Sequence, residues 1–238
     1  MKKFILKIAR YVLMVFSFTL ILTLFFDNNK RIREFLNTSY INAYNLNLKK
    51  IKNQHYQKIV FVGGSNVGFG LNSERIEKET GINSINFGVH GGIGIKKPID
   101  DISLFLNPKD IVILSPEYSN FRLEYFENER YNVEFIKKGV FSIQSFEELK
   151  AYMNFVKEQL IMFFLKSNIK SSNINWFNEN GDVVGHHDLE KTPILRFFNN
   201  DPASKEELKE LKNYIENNMS DSNWFLIPPA TFENTFDE

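Results

Sequence analysis

Hydrophobic and polar positions divide the chain into three regimes. Tyr11 to Phe26 is an uncharged run, YVLMVFSFTLILTLFF, preceded by Phe4, Ile5, Leu6, Ile8 and Ala9 set among basic residues. From Glu34 to Gln57 the pattern loosens into Asn-, Lys- and Tyr-rich sequence with a weak helical signal over Glu34 to Leu46. From Lys58 onward, short apolar blocks alternate with helix-patterned stretches. Ile59–Val62, Ser84–Phe87, Ile111–Leu114 and Trp224–Ile227 have the length and β-favouring composition of strands. Ser73–Thr80 reads as a helix. Lys97–Leu106 follows, with Ile99, Ile102, Phe105 and Leu106 on one side. Ser145–Lys166 gathers Phe146, Leu149, Met153, Phe155, Val156, Leu160 and Phe163 on its apolar side. Asp201-Pro202 supplies a cap and a first-turn proline for a helix reaching Asn217. Ile111-Val-Ile-Leu114 is apolar throughout, which predicts a strand covered on both faces. Strands alternating with helices predict an α/β fold built on a parallel, doubly wound sheet.

The amino-terminal regime reads as a membrane anchor. A spanning helix needs about 20 apolar residues. The uncharged run alone is shorter, but Lys7 and Arg10 can snorkel to the interface. A cleaved signal peptide would need small residues after the apolar run. Leu24-Phe25-Phe26-Asp27-Asn28-Asn29 offers none, which favours an uncleaved anchor. Lys2, Lys3, Lys7 and Arg10 place the amino terminus in the cytoplasm, with Lys30, Arg31 and Arg33 weakening that bias. The expected organisation is a signal anchor over residues 1–33, a stalk over 34–57 and an α/β domain over 58–238. The expected location is the inner (cytoplasmic) membrane, single-pass, with the domain facing the periplasm or the cell exterior.

Composition narrows the chemistry. With 43% hydrophobic and 24% charged residues, the 238-residue chain has a globular balance. A formal net charge of +0 gives no electrostatic case for nucleic acid. The absence of cysteine excludes disulfides, thiolate metal sites and a cysteine nucleophile. His186, His187 and Asp188 have no second cluster to complete a metal site, so no metal and no cofactor are expected.

The stretch that carries chemistry is Lys58-Ile-Val-Phe-Val-Gly-Gly-Ser65. A buried strand runs into a tight turn and presents Ser65 at its carboxyl end, where open α/β sheets place their sites. The turn is not a phosphate-binding loop, because no Gly-Lys-Ser/Thr follows. It is a poor dinucleotide fingerprint, because the second strand ends in Asn86-Phe-Gly with no acidic residue. A nucleophilic serine needs a base and oxyanion donors. Three strand ends come in order: Gly63-Gly64-Ser65, Asn86-Phe-Gly-Val-His-Gly91 and Ser115-Pro-Glu117.

Those three blocks resemble the SGNH, or GDSL-like, hydrolase superfamily, most closely its membrane-anchored envelope-associated branch. The resemblance is good over Lys58 to Tyr118 and loose beyond. It implies a flavodoxin-like three-layer sandwich with a parallel sheet, and a serine esterase or O-acyltransferase acting on acyl groups of an envelope glycan. Ser65 takes the place of the nucleophile, and the N–H groups of Ser65 and Gly91 take the place of the oxyanion hole. Gly64 stands where the family often has Asp. Glu117 falls where the family has an asparagine donor, and an ionised carboxylate only accepts. Asn120 or a protonated Glu117 would have to substitute. Asn66 and His90 are further pocket candidates. The family's late Asp-x-x-His has no counterpart, since no histidine follows His187. The chain therefore looks truncated before that block, and His186 or His187 is left as a candidate base. The alternative is a non-catalytic, membrane-anchored binding or assembly module.

Overall fold

The computed structural model describes residues 2–121, 135, 138–164, 174–185, 204–218 and 222–227. The chain divides into two compact units, Met1–Thr38 with Glu134–Asn168, and Ser39–Val133 with Ile169–Glu238.

The first unit is helical. Helix α1 spans Lys2–Asn28. Asn29 then caps α2, Lys30–Asn37, its side chain accepting from the Ile32 N–H at 3.2 Å. Later in the chain this unit adds a long helix, Phe146–Phe164, close to the expected 145–166. Aromatic packing joins these pieces. Phe26 meets Phe155 edge-on, and Phe135 packs on both Tyr152 and Phe155. Asp27 accepts hydrogen bonds from Tyr152 Oη and the Val140 N–H, both at 2.7 Å. Along the rest of α1, residues such as Phe4, Leu13, Phe16, Phe18 and Ile21 are exposed. Among the described residues, no helix is long and apolar enough to cross a membrane. The transmembrane helix expected within residues 1–33 is thus not supported. Basic residues occupy the first turns of α1, and the uncharged Tyr11–Phe26 run falls short of the roughly 20 residues a span requires.

The second unit is α/β. Its strands are β1, Lys58–Gly63, β2, Asn83–Asn86, β3, Ile111–Ser115, and β4, Asn223–Leu226. All pair in parallel, in the order β2-β1-β3-β4. Every residue of β1 is buried, as its continuous apolar run requires. Ile59 and Phe61 project to one face and pack with Val67, Ile76 and Ile82. Val60, Val62, Val112 and Leu114 are buried on the other face. The chain passes from β1 to β2 on one side, then crosses to β3 on the other. That reversal falls at the carboxyl ends of β1 and β3, where Gly63 is in register with Ser115 and where open α/β sheets place their sites.

Short helices flank the sheet: α3, Tyr40–Asn53, α4, Ser65–Gly70, α5, Ser73–Thr80, and α6, Lys96–Ser103. With α7 denoting Phe146–Phe164, the last is α8, Lys205–Asn218. Helix α5 starts at the Asn72 cap and stops at Gly81, whose φ of 71° closes the turn. For α8 the cap is a reciprocal pair. The Glu207 N–H donates to Ser204 Oγ at 3.1 Å, and the Ser204 N–H donates to Glu207 Oε2 at 2.8 Å. The expected start at Asp201-Pro202 lies outside the described residues. Within the stretch expected as a stalk, α3 buries Ala43, Tyr44, Asn47 and Ile51 along one face. Tyr44 packs 4.5 Å from Phe87 and donates to Asp101 at 2.8 Å. The periodicity there is weak because the buried face includes a polar residue. Asn47 is satisfied by donating to the Asn86 carbonyl at 2.9 Å.

Candidate functional site

Strand β1 delivers its carboxyl end directly to Ser65, the first residue of α4. The turn is tight. The Gly64 N–H donates to Asn66 Oδ1 at 3.1 Å, and the Gly68 N–H returns to the Gly64 carbonyl at 3.1 Å. Asn66 also donates to the Ser115 carbonyl at 3.1 Å. Its one side chain therefore ties the first turn of α4 to the end of β3. Ser65 is half-buried there.

Strand β3 delivers Glu117 to the same point. Glu117 Oε1 accepts from the Ser65 N–H at 2.6 Å and from Ser65 Oγ at 2.7 Å. Among the described residues, Glu117 is the only hydrogen-bond partner of Ser65 Oγ. No ion pair to Glu117 is present among them. The carboxylate lies against two backbones that carry no side chain. A Cβ on Gly64 would fall 2.3 Å from Glu117 Oε1, and one on Gly91 would fall 2.2 Å from Oε2. Glycine at both positions is the steric condition for Glu117 to reach Ser65.

Asn120 holds this arrangement from behind. It is 1% exposed. Its Oδ1 accepts from the Glu117 N–H at 3.0 Å, and its Nδ2 donates to the Gly91 carbonyl at 2.9 Å. The structure thus brings together Ser65, Asn66, Gly91, Glu117 and Asn120. Asn120 engages the backbones of Glu117 and Gly91 rather than Ser65. His90 is exposed and caps the short 3-10 helix Gly91–Ile93, its Nδ1 accepting from the Gly92 N–H at 3.0 Å. His186 and His187 lie outside the described residues. Among the described residues, no group of three or more His, Cys, Asp or Glu side chains is placed to hold a metal ion.

Beneath the site lies a buried polar cluster centred on Asp182. It accepts from the Ser73 N–H at 2.9 Å, Ser73 Oγ at 2.6 Å, Asn86 Nδ2 at 2.8 Å and Asn178 Nδ2 at 3.1 Å. With these donors, and at the amino-terminal end of α5, a carboxylate only 2% exposed is compensated. Asn86 also donates to the Val67 carbonyl at 3.1 Å, and the Val183 N–H donates to the Gly68 carbonyl at 2.9 Å. The Asn178–Gly185 segment is therefore fastened to α4, the helix that begins with Ser65.

The geometry is that of a serine hydroxyl and a carboxylate held together at the carboxyl end of a parallel sheet, on a backbone cleared by two glycines. In comparisons with known proteins, no family model, no curated protein and no solved structure matches this chain.

Proposed function

We propose that this chain is a membrane-associated serine esterase or O-acyltransferase of the SGNH/GDSL-like kind, acting on acyl groups of an envelope glycan. Its α/β unit is then a flavodoxin-like three-layer sandwich. The observation that carries the reading is the Ser65 hydroxyl, poised at the carboxyl end of β1 and hydrogen-bonded to a carboxylate at 2.7 Å. Ser65 attacks the acyl carbonyl, and the Ser65 and Gly91 N–H groups receive the oxyanion. The exposed apolar residues of α1 associate with the inner membrane, and the α/β unit faces the periplasm or the cell exterior.

One observation favours a second reading. Glu117 already accepts the Ser65 N–H, in the place an acyl oxygen would take. A chain that keeps this contact permanently is a non-catalytic binding or assembly module. A fluorophosphonate probe on the full-length protein separates the two. The enzyme reading expects wild type to be labelled and Ser65→Ala to stay blank. Folded wild type that resists labelling leaves the module reading in its place.

A further inference from the structure

The Ser65–Glu117 contact supports a definite division of labour, which rests on the acyl-transfer reading above. We infer that Glu117 is the proton acceptor for Ser65, and that the proton it takes makes it a donor to the oxyanion. The geometry places both functions on one side chain. Glu117 Oε1 is 2.7 Å from Ser65 Oγ and 2.6 Å from the Ser65 N–H. The first distance is that of a hydroxyl donating its hydrogen to a carboxylate. The second puts the carboxyl at the rim of the oxyanion site.

The charge argument removes the apparent conflict between these roles. An ionised Glu117 beside a forming oxyanion would repel it and would withhold the Ser65 N–H. As Ser65 Oγ bonds to the acyl carbon, its proton passes to Glu117 Oε1 and the carbonyl π pair moves onto oxygen. The negative charge thus leaves Glu117 as it arrives on the substrate. A neutral carboxylic acid is a weaker acceptor than an oxyanion, so the Ser65 N–H transfers to the new anion. The carboxylic acid now carries an O–H and is a donor. When the intermediate collapses, the alkoxide leaving group takes that proton and Ser65 is left acylated. Water, or an acceptor hydroxyl, then gives its proton to Glu117 and attacks the acyl carbon. The Ser65 oxygen leaves and recovers the proton.

Two further features fit this assignment. Glycine at both 64 and 91 lets the carboxyl occupy the point where base and oxyanion functions meet. Asn120, whose amide engages the Glu117 N–H and the Gly91 carbonyl, positions the backbone of the acceptor relative to the oxyanion glycine.

The test is the rate of fluorophosphonate labelling of the full-length protein, where Ser65 Oγ bonds to phosphorus, fluoride departs and the serine proton needs an acceptor. Glu117→Gln matches the size of Glu117 and still offers an oxygen to the Ser65 N–H, but takes no proton. Loss of a general base typically costs about 100- to 10,000-fold, and a fall of that order in labelling rate is the expected result. Glu117→Gln labelled as fast as wild type, or faster, overturns the inference. With Ser65→Ala blank, that outcome leaves the serine reading intact and makes Glu117 an obstruction. If wild type itself is folded and never labelled, the acyl-transfer reading fails and this inference fails with it. Glu117→Asp guards against a misfolded glutamine variant. It keeps the charge but withdraws it by one methylene, so slowed labelling supports the assignment and wild-type labelling refutes it.

Discussion

Lys58→Met tests the foundation on which Ser65 stands. Lys58 opens β1, and its ammonium lies 2.6 Å from Asp110 Oδ2, with both side chains 0% exposed. Nζ also donates to the Phe105 carbonyl at 3.1 Å and the Gln54 carbonyl at 3.4 Å. Asp110 accepts in addition from the Lys58 N–H at 3.0 Å and the Asn107 N–H at 2.7 Å. The pair clamps the amino-terminal end of β1 to the turn before β3, and these two strands carry Ser65 and Glu117 at their far ends.

Removing one partner of a buried pair leaves an uncompensated charge and costs about 3–5 kcal/mol. The two backbone N–H donors that remain on Asp110 place the expected loss near the lower end, about 3 kcal/mol. That is a large part of a domain's total stability, roughly 5–15 kcal/mol. At a slope of about 2 kcal/mol per molar urea, the unfolding midpoint falls by about 1.5 M. Trp176 and Trp224 are the chain's two tryptophans and both belong to the sheet unit. Their fluorescence in urea therefore follows this unit. A shift below about 0.5 M, which is under about 1 kcal/mol at that slope, would refute the burial argument. The double change Lys58→Met with Asp110→Leu removes both charges and is expected to recover much of the loss. If it unfolds as easily as the single variant, packing rather than charge is the cause.

Two other outcomes follow from specific contacts. In Gly91→Ala the new Cβ would lie 2.2 Å from Glu117 Oε2 and 2.6 Å from Cδ, so the carboxylate must swing away from Ser65. Fluorophosphonate labelling should slow about as much as in Glu117→Gln, with a stability loss of about 1–3 kcal/mol; labelling at the wild-type rate would break the steric link. Burial and the Asp27 carboxylate hold the Tyr152 phenol well above its ordinary value of 10.0. Above that value the unfolded chain ionises first while the folded chain keeps its proton, so stability falls as pH rises. Tyr152→Phe should lose about 1–2 kcal/mol through the missing hydrogen bond to Asp27 yet show a flatter decline between about pH 9 and about pH 11, read by circular dichroism melts.

The sheet was legible because its strands announce themselves locally. Ile59–Val62 and Ile111–Leu114 are unbroken apolar runs; β1 is buried on both faces as such a run predicts, whereas β3 alternates buried Val112 and Leu114 with partly buried Ile111 and Ile113. The end of β1, which carries Ser65, could be placed for the same reason. Asp182 could not, because its partners Ser73 and Asn86 are 109 and 96 residues away, and nothing local marks a polar side chain as a buried hub. The burial of α3 was masked by Asn47, whose partner is a backbone carbonyl 39 residues on. The start of α8 did have a local signal, the reciprocal pair Ser204 and Glu207, set just after the more conspicuous Asp201-Pro202.

Glu117 illustrates how a residue judged alone differs from the same residue judged with its neighbours. By itself it is an acceptor where a donor is wanted, and so a defect in an oxyanion site. In place, it is one of three mutually dependent positions. Side chains at 64 or 91 would expel its carboxylate, and one at 64 would also press on the Gly91 backbone, 2.8 Å from its Cα. Asn120 keeps the backbones of Glu117 and Gly91 in mutual register rather than reaching Ser65. On the acyl-transfer reading, donor capacity at this point comes from Glu117, and a carboxyl acquires it by accepting a proton. The hydroxyl proton within reach is the one on Ser65 Oγ, 2.7 Å away, and on that reading its departure is the step that makes the serine a nucleophile.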